Sequence, residues 1–141
     1  MTDKPLKLRA EDAEDLAILS AALQDAAVPI GDMRYFPEEK RFMLAASRYR
    51  WEADKGPKSG GGERITTALI FEHVTRVRRR GLDQGDSDRV LSLLAVETDK
   101  GVVDLLFSGG ATIRLEIEKL ASRLDDFGDA WPTIFRPAHK D

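Results

Sequence analysis

The chain contains no cysteine, which removes disulfides, thiolate zinc sites and thiol catalysis at once. Histidine is nearly as scarce: there are two, His73 and His139, so a metal site would have to rest on carboxylates plus at most one imidazole from each region. No apolar run approaches the roughly 18 to 20 residues that span a bilayer. The N-terminal "MTDKPLKLRAED" is polar where a secretion signal needs an apolar core. A cytoplasmic protein without a membrane partner is expected. No serine sits in a G-x-S-x-G elbow and no G-x-G-x-x-G opens a helix after a strand, so the common hydrolase and dinucleotide signatures are missing as well. The sequence indicates no cofactor, no metal ligand and no catalytic residue, and a non-enzymatic role is favoured over an enzymatic one.

What remains is a 141-residue chain, 42% hydrophobic and 33% charged, of a size for one domain: residues 1–141, with a core over about 6–128 and an extended tail over 129–141. Its net charge of -3 hides a segregation. Residues 1–33 carry three basic and seven acidic side chains, residues 34–80 twelve and six, and residues 81–141 seven and twelve, giving -4, +6 and -5. Positive charge is concentrated in the middle third.

The elements follow from periodicity. Leu6 to Arg9 suits a short strand. Asp12, Glu14 and Asp15 then crowd the first turn of a helix whose apolar face is Leu16, Leu19 and Leu23; these acids read as capping groups rather than catalysts. "AAVPIGDMRYF", the turn "PEEK" and "RFMLAASRYRWE" read as a hairpin, with Pro29 at an edge or bulge. On its second strand Phe42 and Leu44 share one face, and Met43, Tyr49 and Trp51 the other. Lys58-Ser59 followed by Gly60 to Gly62 has the composition of a phosphate loop in the wrong order, and the chain continues into a strand, so a hairpin connection is expected. "RITTALIFEHVTRVRRR" reads as one strand, with Ile65, Leu69, Phe71, His73 and Val77 facing inward and Glu72, Arg76, Arg78 and Arg80 outward. On that parity His73 is a buried, hydrogen-bonded side chain.

Three further strands, "RVLSLLAVETD", "VVDLLFS" and "ATIRLEIE", are joined by tight turns. From Ile117 the residues Leu120, Ala121, Leu124 and Phe127 follow helical spacing up to Gly128. The expected class is α+β: an antiparallel bent sheet or partly open barrel of six to seven strands, with an N-terminal and a C-terminal helix. By element order it looks like the pleckstrin-homology-like barrel.

The blocks "LRAEDAEDLAILSAALQDA", Ile30-Gly31-Asp32, "YFPEEKRFMLAASRYRWE" and "RITTALIFEHVTRVRRRGLD" resemble those of a small bacterial family of domains of unknown function, family 2948. The resemblance spans Leu6 to Phe127. It implies a stand-alone cytoplasmic protein of similar length, chiefly alphaproteobacterial, and assigns no site residue.

The remaining candidate site is a set of arginines. Arg48 and Arg50 alternate on one strand, as Arg76, Arg78 and Arg80 do on another; if those strands pair, five guanidiniums form one positive surface suited to anions. Tyr35, Tyr49 and Trp51 are near in sequence, as in single-strand nucleic-acid binders, but Tyr49 and Trp51 have the opposite parity to Arg48 and Arg50. Three uses stay open: neutralisation by Glu38, Glu39, Glu52 and Glu72, an anionic ligand or nucleic acid, and a protein partner or second copy of the chain. Asp83, Asp86 and Asp88 share a turn but lack calcium-loop spacing, and Asp125, Asp126 and Asp129 read as solvated acids at a helix end.

Overall fold

Asp12 starts the fold's helix as its sequence predicts. In the computed structural model, which describes residues 5–54, 56, 61–133 and 137, the Asp12 carboxylate accepts a hydrogen bond from the Asp15 N–H at 2.8 Å. Strand β1 (Lys7–Ala10) precedes this cap and helix α1 (Ala13–Ala22) follows it, with Glu14 and Asp15 in the first turn and Leu16 and Leu19 buried. Leu23, just past the helix, completes the buried row.

The rest is sheet. Strands β2 (Ala26–Pro29), β3 (Arg34–Phe36), β4 (Arg41–Tyr49), β5 (Gly62–Phe71), β6 (Val74–Arg80), β7 (Val90–Asp99), β8 (Val102–Phe107), β9 (Thr112–Ile117) and β10 (Ser122–Thr133) join β1 in one ten-stranded sheet. The order is β1-β10-β5-β4-β2-β7-β8-β9-β6, with β3 paired to β4, and the pairs are antiparallel. The β3–β4 hairpin turns at Pro37 to Lys40, as the "PEEK" signal implies. Helix α1 is held to the sheet where the Ser20 hydroxyl accepts from the Val96 N–H at 2.9 Å.

Side chains in register build the core in rows. Phe42, Phe71 and Ser122 form one; Leu44, Leu69 and Leu124 form the next; Ala46, Thr67 and Asp126 the third. All nine are buried. Each buried leucine contributes about 1.5–3 kcal/mol through apolar area removed from water, so the middle row anchors the strands. The inner face thus passes from aromatic to aliphatic to polar along β4, β5 and β10, and the polar end is where Arg48 lies.

Two expectations are corrected. The residues read as a C-terminal helix form β10, so the sheet has ten strands rather than six or seven and the pleckstrin-homology analogy loses its helical plug. Leu120, Ala121, Leu124 and Phe127 do have helical spacing, but Ser122, Leu124 and Asp126 also alternate, and β10 fits between β1 and β5 with Leu124 facing Leu8 on one side and Leu69 on the other. Pairing on two sides outweighs a short local pattern. Phe127, which a helix would bury, is 50% exposed.

The second correction concerns His73. The chain does not run straight from β5 into β6: it breaks at Glu72-His73, where His73 takes a φ of 59° and its carbonyl accepts from the Glu118 N–H. His73 is half-buried at a corner rather than enclosed among Leu69 and Phe71. Because β5 lies third and β6 last in the sheet, a two-residue link requires the sheet to curl until those strands meet end to end. The Val74 N–H donates to the Lys40 carbonyl and the Tyr35 hydroxyl to the Val74 carbonyl, each at 2.9 Å, fixing the start of β6 against the β3–β4 hairpin. Lys58, Ser59, Gly60 and His139 lie outside the described residues. Among the described residues no helix is long and apolar enough to cross a membrane.

Candidate binding interface

The structure divides the five arginines into two unlike sets. Strands β4 and β6 do not pair, so the condition for a single positive surface fails. On β4, Arg48 is 0% exposed and fully engaged. Its Nε donates to Asp126 Oδ1 at 2.8 Å and its Nη2 to Asp126 Oδ2 at 2.5 Å. Nη1 and Nη2 also reach Glu52 at 3.0 and 2.7 Å, and Nη1 the Tyr49 carbonyl at 3.2 Å. Asp126 accepts from the Leu6 N–H at 2.8 Å and lies directly across the β10–β5 ladder from Thr67.

Burial opposes every charge in this cluster, and the mutual hydrogen bonds reverse it. Arg48 is held above its usual range by Asp126 and Glu52, while Asp126 and Glu52 are held below the usual carboxylate range chiefly by Arg48. Arg50 pairs with Glu63 and lies 3.7 Å from Glu52. Both arginines are neutralised inside the protein. Arg64, whose pKa burial pushes down, donates to the Ser47 carbonyl beside them.

The β6 set stands outside. Among the described residues β6 ends the sheet and pairs only with β9, where Arg76 faces Glu116, Arg78 faces Arg114 and Arg80 faces Thr112. A register shift after Val74 swings the strand so that Arg76 and Arg78 project, with side chains 62% and 56% exposed. Arg78 Nε donates to Glu116 at 2.8 Å, whereas Arg76 lies 3.9 Å from that carboxylate. Arg114 is clamped by Asp104 of β8 through two hydrogen bonds of 2.8 and 2.9 Å. Among the described residues no carboxylate pairs with Arg79 or Arg80. A shallow groove of about 330 Å³ is lined by Arg78, Arg79, Arg80, Thr112, Arg114 and Asp104.

The aromatics are committed elsewhere. Tyr49 is buried and meets Trp51 edge-on at 4.6 Å, Trp51 Nε1 donates to the Gln24 carbonyl at 3.3 Å, and the Tyr35 hydroxyl is spent on Val74. The acids of the 83–88 turn cap their own backbone: the Asp83 N–H donates to Asp86 at 2.7 Å, and Asp86 pairs with Arg89 at 3.3 Å. Among the described residues no group of three histidine or acidic side chains is placed to hold a metal ion.

Sequence reasoning missed Asp126 as the partner of Arg48 and Arg114 as part of the β6 surface. Asp126 is 78 residues from Arg48 and carries no local signal, and only the β6–β9 pairing brings Arg114 beside Arg78.

These features define an all-antiparallel, curled sheet with one helix, whose terminal strand among the described residues, β6, is rich in arginine. The chain belongs to the family described as protein of unknown function (DUF2948), whose model matches residues 6–139. No curated protein and no solved structure matches it.

Proposed function

We propose that this protein is a non-enzymatic binding module that takes an extended, acidic segment of a partner protein along the open side of β6. The observation that carries the reading is the coincidence of an unpaired sheet edge with uncompensated positive charge. Beyond Val74, no backbone hydrogen bond serves the open side of β6 among the described residues, and Arg79 and Arg80 have no carboxylate there. An edge strand offers a ladder of N–H and C=O groups to any added strand. Side chains of an added strand alternate between faces, so a glutamate at every second position meets Arg76, Arg78 and Arg80 in turn.

Charge decides between occupants. A second copy pairing β6 against β6 would set arginine opposite arginine, an arrangement that destabilises a sheet, so self-association through this edge is disfavoured. Nucleic acid is disfavoured because Tyr35, Tyr49 and Trp51 are turned to other partners and because the chain is net negative. The continuous buried core supports one folded domain behind this edge.

The test is fluorescence anisotropy of a short labelled peptide alternating glutamate with threonine, with single-stranded RNA and DNA in parallel. The peptide is expected to bind, more weakly at higher salt, and the double variant Arg78→Glu with Arg80→Glu to abolish binding while staying folded. Tighter binding of the oligonucleotides than of the peptide would overturn the reading.

A further inference from the structure

We infer that the groove beside β6 receives a phosphoryl group carried on a side chain of the docked acidic segment, an inference that rests on the edge-binding reading. The groove holds an arrangement that is unfavourable by itself: Arg78 and Arg114 stand directly opposite each other across the β6–β9 ladder. Like charges so placed repel. Carboxylates relieve both, Glu116 at Arg78 and Asp104 at Arg114, with a lesser contribution from Glu116 at Arg114. Arg78 gives its Nε to Glu116, and Arg114 gives Nε and Nη2 to Asp104, so both guanidiniums are pinned while Arg78 Nη1 and Nη2 and Arg114 Nη1 have no partner among the described residues. Arg80, one step further along the same face, keeps its whole donor fork, and Thr112 lies directly across from it with a hydroxyl that can also donate.

The donor set specifies the ligand. Four guanidiniums against one carboxylate, Asp104, line the groove. A carboxylate's two oxygens satisfy a single fork, whereas a phosphoryl group brings three acceptor oxygens and a charge of roughly -1.5 to -2 at neutral pH, enough to lie between Arg78, Arg80 and Arg114 together. Arginine's planar fork suits such oxygens, and the pins at Nε mean that little order is lost on binding. Because the groove adjoins the last residues of β6, a group on the docked strand reaches it without leaving the sheet edge. A volume of about 330 Å³ leaves room for it.

The experiment uses the alternating glutamate–threonine peptide with one central serine, unmodified or phosphorylated, and inorganic phosphate as competitor. The phosphorylated peptide is expected to bind tighter by on the order of tenfold or more, the scale of a new set of charge-assisted hydrogen bonds. Arg114→Gln, one strand in from the edge, should erase most of that gain, lowering the phosphorylated peptide's affinity by a larger factor than the unmodified peptide's. Circular dichroism checks that the variant is folded. Equal binding of the two peptides would overturn the phosphoryl site and leave the edge reading intact. Binding of neither would overturn both. Inorganic phosphate that binds as tightly as the phosphorylated peptide would show a free-anion pocket instead and overturn the link to a docked segment.

Discussion

Arg48 on β4 with Arg50 just past its end, and Arg76, Arg78 and Arg80 on β6, share a residue type and an alternating spacing, yet they do opposite things. The β4 pair is enclosed, with Arg48 joined to Asp126 from β10 and Glu52 from the following turn. The β6 set is exposed and only partly matched by Glu116. What separates them is position in the sheet. β4 has neighbours on both sides, and Arg48 and Arg50 meet carboxylates from β10, β5 and the following turn; β6 has one neighbouring strand among the described residues, and its Arg76 and Arg78 side chains are more than half exposed. An arginine's role here is set by topology rather than by local sequence.

That contrast can be broken at its buried end first. Asp126→Ala leaves Arg48 buried with two of its five hydrogen bonds gone and is expected to cost about 3–5 kcal/mol, the usual penalty for breaking a buried ion pair, measured by urea denaturation. Replacing the two most buried charges together, Arg48→Met with Asp126→Leu, should recover part of that loss, since an apolar pair carries no desolvation cost and Glu52 is one-third exposed.

Acid should erode the same region. Asp126 and Glu52 are both held below their ordinary values, burial opposing and Arg48 enforcing the shift. Groups of this kind add stability that is present above their unfolded pKa, near 4 for ordinary carboxylates, and lost as pH falls through the folded value. Thermal unfolding followed from neutral pH downward should therefore show a decline that begins near pH 4, and the Arg48→Met, Asp126→Leu variant should decline less. An equal decline in both would remove the cluster from the acid response.

A smaller effect sharpens the buried side. Gly62 lies under Tyr49, the residue after Arg48: a Cβ there would come within 2.2 Å of the Tyr49 hydroxyl oxygen. Gly62→Ala should cost about 1–3 kcal/mol through overpacking. Least of all should come from the exposed set. Arg78→Ala with Arg80→Ala is expected to change stability by no more than about 0.5 kcal/mol per site, because those side chains sit in water.

The sequence was informative where structure is local. The Asp12 cap, the "PEEK" hairpin and the strand over "ATIRLEIE" are set by neighbouring residues, and each forms as its pattern implies. Legibility ended where distant strands decide. β10 has a spacing compatible with a helix until β1 and β5 flank it, and Asp126 looks like a surface acid until that pairing turns it onto Arg48. His73 follows strand parity until a two-residue link must turn the corner between β5 and β6. The charge map located the basic third of the chain, but the division of its arginines between core and edge depends on an order of strands that no local pattern contains.

Backbone amide hydrogen exchange, with and without a saturating acidic alternating peptide, tests the comparison most directly. The account predicts new protection confined to Arg76 to Arg80 and the adjoining β9, with the amides of β4 around Arg48 unchanged. Protection elsewhere in the sheet, or none at β6, would contradict the claim that the terminal strand is the binding edge.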